Sequence, residues 1–102
     1  MSAQSNTKGL EPPPSAITNA DAVEVLRAWI VAGDLHVSLQ KAFDDPAVWG
    51  VMLVDIARHA ARIYAREGDY TEDEAFSKIL AIMDAEISNP TDVGTTKPNV
   101  QQ

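Results

Sequence analysis

The stretch RAWIVAGDLHVSLQ, residues 27–40, decides the fold of this chain. Its second half, LHVSLQ, alternates strictly between apolar and polar side chains, which is the period of a strand with one buried face. The run before it is rich in Val, Ile and Trp, the residues that strands favour. The pair Gly33-Asp34 separates the two runs and suits the positive φ that a tight hairpin turn requires.

These patterns predict two strands, at 24–31 and 35–40, joined as a β-hairpin. A helix over 22–31 is the alternative, because Asn19 or Asp21 can cap it and its apolar residues also fit one helical face.

Two helices follow the hairpin. The first is predicted to begin at Pro46 with Asp44 or Asp45 as its cap, and Gly68 ends it. Its apolar residues recur at steps of three and four, which predicts one buried stripe. The stripe consists of Trp49, Met52, Leu53, Ile56, Ala60 and Ile63.

The second helix begins with a capping box, in which Thr71 and Glu74 satisfy each other's backbone N–H groups. Asn89 ends it, because the residue before Pro90 avoids the helical region. Its apolar stripe consists of Phe76, Ile79, Leu80, Met83 and Ile87. The sequence therefore predicts an α+β fold of order ββαα.

The chain has 102 residues, which allows one domain. We predict a disordered N-terminal tail at 1–20, a single α+β domain at 21–90 and a disordered C-terminal tail at 91–102. A domain of that size buries only about 60% of its unfolded surface, and there is no cysteine to crosslink it. Oligomerisation is the common remedy, so we expect a homo-oligomer.

A two-stranded sheet leaves two open edges. Pairing one edge with the same strand of a second copy gives a four-stranded sheet across a two-fold axis, so we expect a homodimer that forms through the sheet. The helices are expected to cover one face of the hairpin. The opposite face supplies the interface candidates Val25, Arg27, Trp29 and Val31, since an exposed tryptophan favours burial by a partner.

The net charge of −7 disfavours binding to nucleic acid and to anionic membranes. No signal peptide is recognised, and no apolar stretch approaches the roughly 20 residues of a membrane span. We therefore expect a cytoplasmic protein.

Arg58, Arg62 and Arg66 form a stripe at four-residue steps, a candidate for binding an anionic ligand. Intrachain pairing with Asp55 or with the acids near Glu72 is the alternative for these arginines.

His59 follows Asp55 by four residues on the same helical face, and His36 is the other histidine. Together they resemble a metal set of two histidines and one carboxylate, with a merely solvated helix face as the alternative. No nucleophile with a base and no phosphate loop is recognisable, so neither a catalytic residue nor a cofactor is predicted. The leading hypothesis is a homodimeric protein-interaction module, and the alternative is a small-molecule or metal-binding protein that uses this set.

The segments LRAWIVAGDLHVSLQKAFDDPAVWGVMLVDIARHAARIYAREG and DAEISNPTDVGTT resemble a small family found in alphaproteobacteria, domain of unknown function 5076. The matching elements are VSL, DDPAVWG, DIARHAARIY and NPTD, and the resemblance covers residues 24–95. It implies a single module of this fold and carries no activity or catalytic residue to transfer.

Overall fold

A computed structural model describes residues 9–91 of the chain. Its elements are a short helix α1 (Pro14–Thr18), the strands β1 (Leu26–Val31) and β2 (Asp34–Leu39), and the helices α2 (Ala47–Glu67) and α3 (Glu72–Ser88). The α+β order of a hairpin followed by two helices confirms the prediction, and the alternative of a helix over 22–31 is wrong. The chain divides after Gln40 into a hairpin unit (residues 9–40) and a helical unit (residues 41–91).

The segment before the hairpin contains one short helix, and the predicted tail at 1–20 stays a prediction. Pro14–Thr18 forms a helical turn, and the Thr18 hydroxyl donates to the Pro14 carbonyl at 3.2 Å. Proline is tolerated at the first helical position because the N–H that it lacks would have no partner within the helix. Residues 1–8 of the predicted N-terminal tail and 92–102 of the C-terminal tail lie outside the described residues.

The hairpin turn lies one residue earlier than predicted. Ala32 and Gly33 occupy its central positions with φ of 52° and 86°, while Asp34 pairs with Val31 as part of the ladder. Positive φ at both central residues is the geometry of a type I′ turn, whose twist matches that of the flanking strands. Alanine carries no sequence signal for this conformation, which is why Gly33-Asp34 looked like the better pair.

Replacing Ala32 by asparagine is expected to stabilise the protein by about 1 kcal/mol, because a left-handed backbone is costly for alanine and Asn-Gly is favoured in this turn. Urea unfolding at fixed protein concentration measures the change. Ala32→Val is the opposing control, since a β-branched residue at positive φ should destabilise the chain. An unchanged or lower midpoint for Ala32→Asn would show that the turn does not have this geometry.

Both predicted caps of the helical unit are present. The Asp45 carboxylate accepts a hydrogen bond from the Ala47 N–H at 2.9 Å at the start of α2. At the start of α3 the Thr71 hydroxyl accepts from the Glu74 N–H at 3.1 Å, and the Glu74 carboxylate accepts from the Thr71 N–H at 2.8 Å. These contacts satisfy donors that a helix start leaves without intrahelical partners, so local sequence is enough to position both helix starts.

The core between α2 and α3 is made of alanine. Ala57 and Ala61 on α2 and Ala75 on α3 are the buried residues of the described chain, and Ala61 is fully inaccessible. Small side chains allow two helices to approach closely, because the distance between helix axes depends on the side chains at the contact.

Half of the predicted apolar stripe of α2 is exposed. Leu53, Ile56 and Ile63, which we call the α2 stripe, are exposed, with Ile63 at 53%, whereas Trp49, Met52 and Ala60 are half-buried. The period of three and four identified an apolar face correctly but could not tell which residues contact α3. Within residues 9–91, none of the helices combines the length and apolar character that a membrane crossing requires.

Candidate interaction surface

One face of the hairpin is entirely apolar. In the antiparallel register Leu26 lies opposite Leu39, Ala28 opposite Val37, and Ile30 opposite Leu35. Side chains of directly opposed residues lie on the same face of a sheet, so these six residues form one surface, the apolar face. Most of it is open to solvent in the single chain: Ile30 is 73% exposed and Leu35 is 67% exposed.

The opposite face combines one tryptophan with polar side chains. The opposed pairs are Arg27 with Ser38, Trp29 with His36, and Val31 with Asp34. We call this surface the Trp29 face; Trp29 itself is 38% exposed. Three of the predicted interface residues, Arg27, Trp29 and Val31, therefore lie together, and their role in an interface stays a prediction.

Val25 and Arg27 have other contacts just before and within β1. The Val25 carbonyl accepts a hydrogen bond from the Gln40 N–H at 3.2 Å, which continues the ladder by one bond. The Arg27 guanidinium donates two hydrogen bonds to the Glu24 carboxylate, at 2.9 and 2.8 Å. These hydrogen bonds hold the pKa of Glu24 below its ordinary value and raise that of Arg27. The positive charge of Arg27 is thus already balanced by Glu24 within the same chain.

The hairpin also has two open edges. The sheet of the described residues contains only β1 and β2, so each strand has one side whose N–H and C=O groups have no strand partner. Such edges accept a further strand from another chain through backbone hydrogen bonds.

The predicted arginine stripe is largely engaged within the helical unit. The Arg58 guanidinium lies 4.3 Å from the centroid of the Phe76 ring, which is a cation–π contact. Arg62 forms an ion pair with Glu72 at 3.5 Å, the alternative that the sequence had left open. Arg66 lies in the last turn of α2, where a cation complements the helix dipole. Anion binding by the stripe stays a prediction.

The predicted metal ligands are distributed over both units. Asp55 and His59 lie on α2, where the His59 Nδ1 is 3.5 Å from an Arg62 guanidinium nitrogen. His36 lies on β2, opposite Trp29. Among residues 9–91, no group of three or more histidine, aspartate or glutamate side chains is arranged to hold a metal ion. The set stays a prediction.

Sequence reasoning missed a clamp at the end of α3, although the motif NPTD marks the place. The backbone N–H of Thr91 donates to one oxygen of the Glu86 carboxylate at 2.9 Å, and the Thr91 hydroxyl donates to the other oxygen. These two bonds, the hydroxyl bond above all, hold the pKa of Glu86 below its ordinary value. The clamp ties the chain after Pro90 back onto the helix.

We expect the Glu86 carboxyl to titrate below the ordinary glutamate value of 4.5. Because the folded pKa is the lower one, the clamp stabilises the chain above the unfolded pKa and is lost as pH falls through the folded pKa. Carboxyl NMR across the acidic range measures the midpoint. Thr91→Val removes the hydroxyl bond and keeps the backbone one, so it should raise the midpoint toward the ordinary value, while Thr91→Ser should leave it low. Equal midpoints in all three proteins would contradict the clamp.

Comparison with known proteins shows the family to which this chain belongs. No curated protein matches the chain. A solved structure described as a "putative pyruvate dehydrogenase from the photosynthetic bacterium Rhodopseudomonas palustrus CGA009" is similar at 50% sequence identity and a TM-score of 0.76. The similarity covers 91% of this chain and 96% of that chain, so the two share their fold over nearly their full lengths. The family model "Domain of unknown function (DUF5076)" matches residues 9–91, and the chain belongs to that family.

Proposed function

We propose that this protein is a homodimeric protein-interaction module without catalytic activity, and that its hairpin supplies the contact surface. The observation that carries the proposal is the apolar face, whose six opposed residues are all apolar and mostly exposed in the single chain. Soluble monomers rarely expose large contiguous apolar patches, and those that exist mark interaction sites.

The absence of charge on the apolar face is compatible with a second copy as the occupant. The chain carries a net charge of −7, so most orientations of two copies bring like charges together. The apolar face contains no charged residue and avoids that repulsion. A two-fold symmetric contact places the same patch on both partners, which an all-apolar surface satisfies without any need for complementary groups.

The two open strand edges offer a second contact between copies, distinct from the apolar face. A β2 edge that pairs with β2 of a second copy gives a four-stranded sheet and removes one open edge from each copy. Such pairing sets the two apolar faces side by side and does not cover them, so the face contact is the one that carries the proposal.

The Trp29 face has a separate role in this proposal. A dimer that covers the apolar face leaves Trp29 and Val31 available to a different protein, and the Glu24–Arg27 pair lies near them. Aromatic residues and arginine are enriched at protein–protein interfaces, whose rims are polar. The proposed location is the cytoplasm.

Sedimentation equilibrium tests the dimer. We expect a mass of about 22 kDa, twice the 11.0 kDa of the chain, that changes little with salt because the contact is apolar. A mass near that of one chain at micromolar concentration would overturn the proposal. Repeating the run with divalent metals separates the alternative: a particle that forms only with metal would direct attention to His36, Asp55 and His59.

The name of the similar Rhodopseudomonas structure raises a second candidate, an activity on pyruvate. The sequence identity of 50% is the observation that favours it. Oxidation of pyruvate needs an electron acceptor, so incubating the purified chain with pyruvate and a soluble two-electron acceptor such as a quinone, and following pyruvate by proton NMR, tests this candidate. Consumption that scales with protein concentration would overturn the non-catalytic part of our proposal, while unchanged pyruvate would remove the candidate for the isolated chain.

A further inference from the structure

An apolar groove lies on the helical unit, and none of its lining residues belongs to the apolar face or the Trp29 face. Its volume is about 470 Å³, which falls in the range of about 300–1,000 Å³ that small-molecule sites occupy. The groove is open to solvent on one side. It is lined chiefly by Tyr64, Tyr70, Lys78, Ile79, Ile82 and Met83.

Two aromatic rings form one wall of the groove. Tyr64 near the end of α2 and Tyr70 in the connection to α3 pack edge to face, with centroids 6.0 Å apart and an angle of 77° between the rings. Ala75, only 4% exposed, keeps the floor close to the helix contact because it has no larger side chain. Ile82 is 65% exposed, so an apolar side chain of the groove faces water in the single chain.

Lys78 supplies the single positive charge of the groove. It is the only basic residue of α3, and its Nζ lies 5.8 Å from the centroid of the Tyr70 ring. That distance is within the range of a cation–π contact. The ion pairs of the described residues are Arg27–Glu24 and Arg62–Glu72, so Lys78 has no carboxylate partner there. Its ammonium is therefore available to pair with the carboxylate of a ligand.

We propose that this groove binds an alkyl carboxylate of medium chain length. The apolar walls suit an alkyl chain, whose burial is favourable in proportion to its area. The carboxylate would pair with the Lys78 ammonium through a charge-assisted hydrogen bond, which is stronger than one between neutral groups. A neutral alcohol of the same length lacks that partner, and an alkyl ammonium is repelled by Lys78.

Calorimetric titration of the full chain with decanoate, decanol and decyltrimethylammonium tests the proposal. The two ionic compounds are kept below their micelle concentrations and decanol below its solubility limit. We expect saturable binding at one site per chain, with decanoate bound at least about fivefold more tightly than decanol. Lys78→Gln should remove that preference and leave decanol binding unchanged. Lys41→Gln, which removes a lysine outside the groove, should leave both affinities as they are.

No saturable binding of decanoate would overturn the proposal, as would equal affinities for all three amphiphiles. The ligand comparison uses the unchanged protein, so it decides the matter even if Lys78→Gln folds poorly. The inference goes beyond the proposed homodimer and fails separately from it, because the dimer is judged by sedimentation mass and the groove by ligand preference. A protein that remains dimeric in sedimentation but binds no decanoate would overturn only the proposal for the groove.

Discussion

Replacing Val37 by glutamate is expected to dissociate the proposed dimer. Val37 lies on the apolar face opposite Ala28, and its side chain is exposed in the single chain. A carboxylate buried in an interface without a partner costs about 3 kcal/mol, which weakens Kd about 100-fold. A two-fold axis places the change on both copies, so the effect is larger still. Sedimentation over a range of concentrations measures the shift.

Ser38→Glu is the matched control for this experiment. It adds the same charge to the neighbouring residue of β2, but on the Trp29 face. We expect it to leave the dimer intact. If Ser38→Glu and Trp29→Ala dissociate the dimer while Val37→Glu does not, then the interface is the Trp29 face that the sequence indicated, and the apolar face is not the contact.

Replacing Ala61 by leucine is expected to destabilise the helical unit by about 1–3 kcal/mol. Ala61 is fully inaccessible and lies one helical turn from Ala57, so both belong to the contact with α3. A leucine there must push the two helices apart or adopt an unfavourable rotamer, because the space is closed on every side. Thermal and urea unfolding followed by circular dichroism measure the loss.

Ala81→Leu provides the control for the helix itself. Ala81 is exposed on α3, and leucine has nearly the helix propensity of alanine, so the free energy of unfolding should change by less than about 0.5 kcal/mol. Equal effects at residues 61 and 81 would show that α2 and α3 are not packed through alanine.

The hairpin and both helices could be predicted because their signals are local. Strict alternation in LHVSLQ specifies the face of each side chain whatever the strand packs against. The capping box at Thr71, the carboxylate of Asp45 and the stop at Gly68 act within one helical turn. The turn was misplaced by one residue, since the positive φ of Ala32 is imposed by strand register and not by its own side chain.

The candidate sites depended on contacts between residues distant in the chain, and here local patterns were insufficient. Whether the arginines of α2 are open to a ligand depends on Phe76 and Glu72, which belong to another helix. The Lys78 groove combines side chains of α2, the connection and α3. The periodicity of one segment cannot predict which side chains of other segments lie beside it.

By itself, the sequence determined the order ββαα, the two helix starts and the separation of the hairpin into an apolar face and the Trp29 face. Only the tertiary structure decided that α2 and α3 meet at Ala57, Ala61 and Ala75, which leaves the larger apolar residues of the α2 stripe exposed. The physical reason is that periodicity records which side chains avoid water. The closest approach of two helices is determined instead by which side chains are small enough to permit it.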